Sequence, residues 1–281
     1  MKIINTVNKM KLYSKKARES KKRIGFVPTM GYLHEGHLSL IRSARKENDI
    51  VVVSIFVNPT QFGPKEDLSR YPRDIRRDKK MCVSAGVDVI FIPSAEEMYP
   101  RDYQIYVNLE GNLSNKLCAK SRPGHFRGVA TIVTKLFNII SPSISYFGSK
   151  DAQQAIIIKR LIADFNMDTI IKIMPIVREK DGLAMSSRNV YLSPKERKDA
   201  LGISKALKES SMMIKNGNLN SKEIKFHINS LLNKRDSLKI DYVEIVSAET
   251  LESIDKIQKN TLIAIACFAG KTRLIDNLWI H

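Results

Sequence analysis

Apolar positions along the chain keep two rhythms. Short runs rich in branched and aromatic residues, "RIGFVP" (23–28), "DIVVVSIFV" (49–57), "VDVIFIP" (87–93), "SISYFG" (143–148) and "TIIKIMP" (169–175), read as buried strands. Between them, residues 36–48, 71–85, 128–140 and 151–165 space their apolar side chains three and four apart, as helices do. Strands alternating with helices of this length imply βαβ crossovers. The expected fold is α/β: a Rossmann-like, doubly wound parallel sheet, which takes its ligands at the carboxyl ends of the strands.

After about residue 176 the rhythm changes. Residues 193–217 predict a helix with a Ser-Pro start and a Gly stop, and 220–234 a second helix. Residues 240–246, 261–270 and 272–280 predict strands, the last two close enough to form a hairpin. The expected division is therefore a domain over 1–176 and a smaller C-terminal α+β domain over 177–281. No internal repeat or low-complexity tract interrupts it.

Composition narrows the classes. Hydrophobic residues make up 43% of the 281-residue chain and charged residues 27%, a soluble globular balance. The longest apolar run, near 50–57, is too short to span a bilayer. The N-terminus lacks an apolar signal core, which predicts no export signal and a cytoplasmic protein. The three cysteines, Cys82, Cys118 and Cys267, lie far apart and form no CxxC pair, so buried reduced thiols are expected. The net charge of +18 raises polyanion binding as a possibility. The basic stretches 9–23 and 70–80 carry acidic residues and helical apolar spacing, and neither interleaves aromatics in the manner of a single-strand binder. They read as solvated helix faces, and no nucleic-acid partner is expected. A small, multiply negative substrate suits the charge.

The chemistry concentrates in "PTMGYLHEGHLSL" (28–40). A zinc-protease helix needs H-E-x-x-H, with histidines at i and i+4; here His34 and His37 are three apart with Gly36 between, and no third ligand is evident. No metal-ligating residues are expected. A nucleotide site fits better, because the segment leaves a strand, bends at Gly31 and Gly36, and opens a helix whose unpaired N–H groups attract phosphate. A histidine there donates to phosphate oxygens as charge develops. "FGSKDAQQA" (147–155) repeats the strand-to-helix setting: Lys150 offers a point charge, and Asp151 either accepts from ribose hydroxyls or caps its helix. Of Gln153 and Gln154, one is expected at the surface and one toward the cleft. The polar loop 178–194 carries Ser186, Ser187 and Arg188, hydroxyls and a guanidinium suited to phosphate. Asn58 and Gln61 follow a buried strand; turn capping accounts for Asn58 but not for Gln61.

With these residues in view, the sequence resembles the pantothenate synthetases (pantoate–β-alanine ligases), of the HIGH-motif nucleotidyltransferase superfamily. The resemblance rests on "PTMGYLHEGHLSLI", "VVSIFVNPTQFGPKEDLSRYPR", "RPGHFRGVATIVTKLFNIISP", "YFGSKDAQQ" and "DGLAMSSRNVYLS", with weaker support from "IDYVEIV" and "TRLIDN". It implies a ligase that forms pantothenate, on the route to coenzyme A, from pantoate and β-alanine. The reaction runs through a pantoyl adenylate, with Mg²⁺-bound ATP as the substrate and AMP and pyrophosphate as products. It implies an ATP site from Met30, Gly31, Tyr32, Leu33, His34, Glu35, Gly36 and His37, continued by Gly148, Ser149, Lys150, Asp151, Val177, Met185, Ser186, Ser187 and Arg188. Within that set the catalytic residues are His37, His34, Lys150, Ser186, Ser187 and Arg188, and residues 185–188 form a loop closing over ATP. Gln61 would hold pantoate and lie near β-alanine, and Gln154 would hold pantoate. Asp78, Arg122 and His125 fall in matching motifs. The family usually has Glu where this chain has Ser149. A homodimer is implied as well. Two rivals are weighed. A tRNA-charging or nucleotidyl-transferring enzyme of the same fold predicts a KMSKS-like loop or a large anticodon-binding domain, whereas this chain has Met-Ser-Ser-Arg and about a hundred further residues. A basic nucleic-acid binder predicts salt-dependent binding without ATP chemistry.

Overall fold

The computed structural model describes residues 1–64 and 66–281, which fall into two compact units. The first comprises Met1–Leu109, Arg122–Ser149 and Ile157–Pro175; the second comprises Glu110–Ser121, Lys150–Ile156 and Ile176–His281. The second unit thus takes in two short segments from the first two-thirds of the chain.

In the first unit the elements run β1 (Lys2–Ile4), α1 (Val7–Glu19), β2 (Ile24–Thr29), α2 (Glu35–Glu47), β3 (Ile50–Ile55), α3 (Ile75–Ser84), β4 (Val89–Phe91), α4 (Ala95–Met98), α7 (His125–Ile140), β5 (Ile144–Gly148) and β6 (Ile170–Met174). Two four-residue helices, α5 (Asn112–Asn115) and α6 (Cys118–Ser121), belong to the second unit. Helix α8 (Ala152–Asp164) begins in the second unit and ends in the first. The six strands form one parallel sheet in the order β1-β4-β3-β2-β5-β6, which is the expected doubly wound α/β fold. From β2 the chain winds out through β3 and β4 on one side and returns to β5 on the other, so the strand order reverses between β2 and β5. All six residues of β3 are buried, as a central parallel strand covered on both faces requires.

The expected helix over 71–85 starts only at Ile75, because Asp74 caps it: its carboxylate accepts the backbone N–H of Arg77. A polar staple ties α2 to two strands. The hydroxyl of buried Tyr146 in β5 donates to Glu47 (2.6 Å) and accepts from Asn48 (2.8 Å), while Lys172 in β6 pairs with the same glutamate (2.8 Å). A Cβ on Gly25 would lie 2.5 Å from Asn48 Nδ2, so only glycine admits this staple. Burial and the neighbouring Glu47 push the Tyr146 hydroxyl up to about 12, so it stays a donor.

In the second unit, α9 (Pro194–Lys215), α10 (Ser221–Leu232), β7 (Leu238–Ser247), β8 (Thr261–Ala269) and β9 (Thr272–Ile280) form the expected α+β arrangement. The three strands make an antiparallel sheet in the order β7-β8-β9, and β8 and β9 are the predicted hairpin, turning at Gly270 (φ 56°). The Ser-Pro start of α9 is a full capping box: Ser193 accepts from the Glu196 N–H, and Glu196 accepts from the Ser193 N–H. Strand β8 is buried on both sides. Ile263, Ile265 and Cys267 join α9 and α10 in one core, while Leu262 and Ala264 pack with Leu117, Ala152 and Ile156 in another. All three cysteines are reduced and buried. Among the described residues no helix is long and apolar enough to cross a membrane.

Replacing Tyr146 by Phe removes one buried and one part-buried hydrogen bond and leaves an Asn48 amide proton unpaired. The variant is expected to lose about 1–2 kcal/mol in urea unfolding; an unchanged midpoint would show that the staple contributes nothing.

Candidate active site

The segment after β2 folds as a tight loop around one carboxylate. Gly31 (φ 82°) and Tyr32 (φ 50°) are both left-handed, which turns two successive backbone N–H groups inward. Those of Tyr32 and Leu33 donate to the two oxygens of Asp78, at 2.8 and 2.7 Å. A Cβ on Gly31 would meet Ile55 at 3.0 Å and an Asp78 oxygen at 3.1 Å, so glycine is required by conformation and by space. Asp78 is buried in α3, and burial pushes its carboxyl above the ordinary range although the two N–H bonds pull the other way. Arg77 lies over the Tyr32 ring (5.1 Å). Thr29 closes the strand end by donating to the Ser54 carbonyl and accepting from the Gly31 N–H.

His34 is the N-cap of α2, and His37 sits in its first turn. The backbone N–H of His34 donates to Nδ1 of His37 at 3.3 Å. A ring nitrogen that accepts carries no proton, so the neutral His37 ring keeps its proton on Nε2. The two half-buried rings lie face to tilted face, centroids 4.1 Å apart. The site therefore combines a helix N-terminus with an imidazole N–H donor of fixed tautomer, at the carboxyl end of a central strand.

Gln61 ends a short 3₁₀ turn after β3 and is buried. Its amide oxygen accepts from Asn58 (3.1 Å), and its amide nitrogen donates to the Met30 sulfur (3.0 Å). Turn capping does not account for Asn58. Its side chain points inward to Gln61 and to the Gly128 carbonyl (3.1 Å), and its oxygen accepts from Tyr99 (2.8 Å). Burial pushes the Tyr99 hydroxyl up to about 12. Tyr99 and Gly128 were invisible in the sequence because their partners lie 41 and 70 residues away.

The remaining predicted residues divide between the units. Gly148 ends β5, which lies beside β2, and Ser149 follows it in the first unit, while Lys150, Asp151, Gln154, Val177 and Met185–Arg188 belong to the second. Lys150 is half-buried and 3.8 Å from the exposed Asp151. The expectation of one surface glutamine does not hold. Gln153 is buried, accepting from the Cys118 N–H (2.9 Å) and donating to the Lys116 carbonyl (2.9 Å), and Gln154 is half-buried.

The loop before Ser186 is a folded ring. Met185 N–H returns to the Val177 carbonyl (3.0 Å), and Glu179 N–H bonds the Leu183 carbonyl (2.8 Å). Arg197 from α9 grips both Glu179 and Asp181 at 2.6 Å. Asn189 donates to Glu179 and to the Ala184 carbonyl. Ser186 caps the following 3₁₀ turn by accepting from the Arg188 N–H. Two neighbours on β9 then anchor both candidate phosphate segments. Asp276 holds Arg178 through two bonds (2.6 and 3.0 Å), and Asn277 donates to the Lys150 carbonyl at 2.8 Å. Neither was a candidate from the sequence; "TRLIDN" was the only signal that contained them. Among the described residues, no group of three or more His, Cys, Asp or Glu side chains converges to hold a metal.

A strand-end loop, a capped helix and an imidazole thus meet at the carboxyl end of β2, and the comparisons say of what lineage the chain is. Residues 2–279 match the profile of the family described as pantoate-beta-alanine ligase. The chain belongs to that family. The pantothenate synthetase of Thermotoga petrophila is 58% identical over 277 residues, covering 99% of both chains, and that of Fervidobacterium nodosum is 57% identical over the full length of both. Among solved structures, the pantothenate synthetase of Thermus thermophilus superposes with a TM-score of 0.94 at 42% identity, covering 99% of each chain. The pantoate-beta-alanine ligase of Francisella tularensis, complexed with a βγ-ATP ligand and β-alanine, gives 0.83 at 37% identity, covering 99% of this chain and 97% of the other.

Asp78→Asn keeps size but gives one of the two loop N–H groups an amide donor to face. It is expected to cost about 2 kcal/mol in chemical unfolding and to raise the Michaelis constant for ATP. A variant with wild-type stability and ATP affinity would remove Asp78 from the architecture of the loop.

Proposed function

We propose that this protein joins pantoate to β-alanine with ATP as the driving reactant. A pantoate carboxylate oxygen attacks the α-phosphorus, the bond to pyrophosphate breaks, and a pantoyl adenylate results. The β-alanine amine then attacks the acyl carbon, the acyl–phosphate bond breaks with release of AMP, and the amine loses a proton.

His37 carries the reading. Its Nδ1 accepts from the His34 N–H, so Nε2 bears the proton that a phosphate oxygen would take as a hydrogen bond, at a helix start whose own dipole favours negative charge. Adenylation adds charge at phosphorus and on the leaving pyrophosphate. It calls for fixed donors and cations rather than for proton transfer. In this assignment Met30–His37, Gly148, Ser149, Lys150, Asp151, Val177 and Met185–Arg188 bind ATP, with His34, Lys150, Ser186, Ser187 and Arg188 assisting His37. Gln61 and Gln154 hold pantoate, and Gln61 also approaches β-alanine. An amide supplies both a donor and an acceptor, which pantoate hydroxyls need. Mg²⁺ arrives with the nucleotide, consistent with its preference for phosphate and water over an all-protein cage. A cytoplasmic location, expected from the N-terminal sequence, and a homodimer, expected from the family resemblance, belong to the same proposal.

Purified protein given ATP, Mg²⁺, pantoate and β-alanine should release AMP only when both acids are present. His37→Ala should lower kcat roughly a hundredfold or more at unchanged thermal midpoint. His37→Gln, which offers an amide N–H near the position of Nε2, should recover part of the loss. AMP release without pantoate, or near-normal turnover in His37→Ala, would overturn the proposal.

A further inference from the structure

The 3₁₀ turn that carries Gln61 rests on the first turns of α7, and three features of α7 fit it. Gly128 lacks the Cβ that would collide with the Thr60 carbonyl and lie 2.6 Å from the Gln61 nitrogen. The Gly128 carbonyl accepts from Asn58. One turn earlier, Nδ1 of His125 lies 2.8 Å from the Gln61 backbone carbonyl. The opposite ring nitrogen, Nε2, lies 2.9 Å from a guanidinium nitrogen of Arg122. Arginine only donates and a carbonyl only accepts, so both partners demand the same ring: proton on Nδ1, lone pair on Nε2. Arg122 is held in turn by two bonds to Glu66, at 2.7 and 2.6 Å. Burial raises the Glu66 carboxyl, but the paired Arg122 bonds outweigh it and hold the group below its ordinary range, so Glu66 stays a carboxylate.

The chain Glu66–Arg122–His125–Gln61 ends on a backbone oxygen, not on solvent. Within the described contacts its product is the placement of one residue. The Gln61 N–H makes only a long bond (3.4 Å) to Asn58 O, so the short His125 contact is the firmest backbone tether of that residue.

We propose that His125 is a positioning residue. Its Nδ1–H, oriented by Arg122 and Glu66, fixes the Gln61 backbone and thereby aims the Gln61 amide at pantoate. This rests on the reading of Gln61 as a pantoate contact. His125 itself touches no reacting atom in this account. It sets ground-state binding of one substrate and leaves ATP binding alone.

Steady-state kinetics on full-length variants test this. His125→Phe keeps a ring and loses both nitrogens; it should raise the KM for pantoate about tenfold, the scale of one lost buried hydrogen bond, with the KM for ATP within twofold of wild type. His125→Asn places an amide N–H near the position of Nδ1 and should bring the pantoate KM back to within about threefold. His125→Asp, equal in shape to Asn but without the donor, should not. The Asn/Asp pair decides the matter if the Phe variant fails to fold. Gln61→Ala is the control, expected to raise the pantoate KM at least as far as His125→Phe. If Gln61→Ala raises it and neither His125→Phe nor His125→Asp does, the positioning role is wrong. Equal rises in both KM values, or no difference between Asn and Asp, would also reject it. A pantoate KM unmoved by Gln61→Ala would remove the role of Gln61 and the His125 proposal with it.

Discussion

A buried carboxylate accepting two consecutive backbone N–H groups governs the shape of the candidate site. Asp78 lies in α3, well beyond β3 in sequence from the loop it holds, and bonds Tyr32 and Leu33 with both oxygens. That grip is possible only with Gly31 and Tyr32 in the left-handed region. The chain then leaves β2 at the angle that makes His34 an N-cap, and His37 falls within reach of the His34 N–H. The imidazole tautomer is thus a consequence of backbone geometry. The Asp78 oxygens are engaged with these two N–H groups, which offsets part of the cost of burying the carboxylate.

The same logic recurs in the second unit with a different strand. On β9, Asp276 and Asn277 are adjacent, and adjacent residues of a strand point to opposite faces. One takes Arg178, which opens the 178–194 ring; the other takes the carbonyl of Lys150. A single strand therefore fixes two segments that lie far apart in sequence. Lys150 is anchored there through its backbone carbonyl and Arg178 through its guanidinium.

Rhythm made most of the fold legible. Buried parallel strands are uninterrupted apolar runs, and their helices keep a 3.6-residue period, so β2 through β6 and the crossover helices stood out. The Ser-Pro-x-Glu start of α9 and the short Gly270 turn were equally local signals. What escaped was either too short to show a period or dependent on distant partners. The three residues of β1 form a strand only because β4 pairs with them. An Asn-Pro pair carries the same local signal whether Asn58 caps a turn or points inward. Gln153 and Gln154 are identical in sequence, and only the α5–α6 segment, 35 and 37 residues away, distinguishes them. The setting of the histidine pair was legible because it needed only a strand, two glycines and a helix start. The tethers Asp78, Asn277 and the His125 relay, each within its own unit, join distant stretches of chain, and no local pattern shows which contacts they make.

The adenylation proposed for this site requires that pantoate react with ATP before β-alanine takes part. Exchange of labelled pyrophosphate into ATP, measured with pantoate and Mg²⁺ but without β-alanine, isolates that step. The account predicts exchange that depends on pantoate and falls in His37→Ala in proportion to the loss of overall turnover. No exchange until β-alanine is added, or exchange without pantoate, would contradict it.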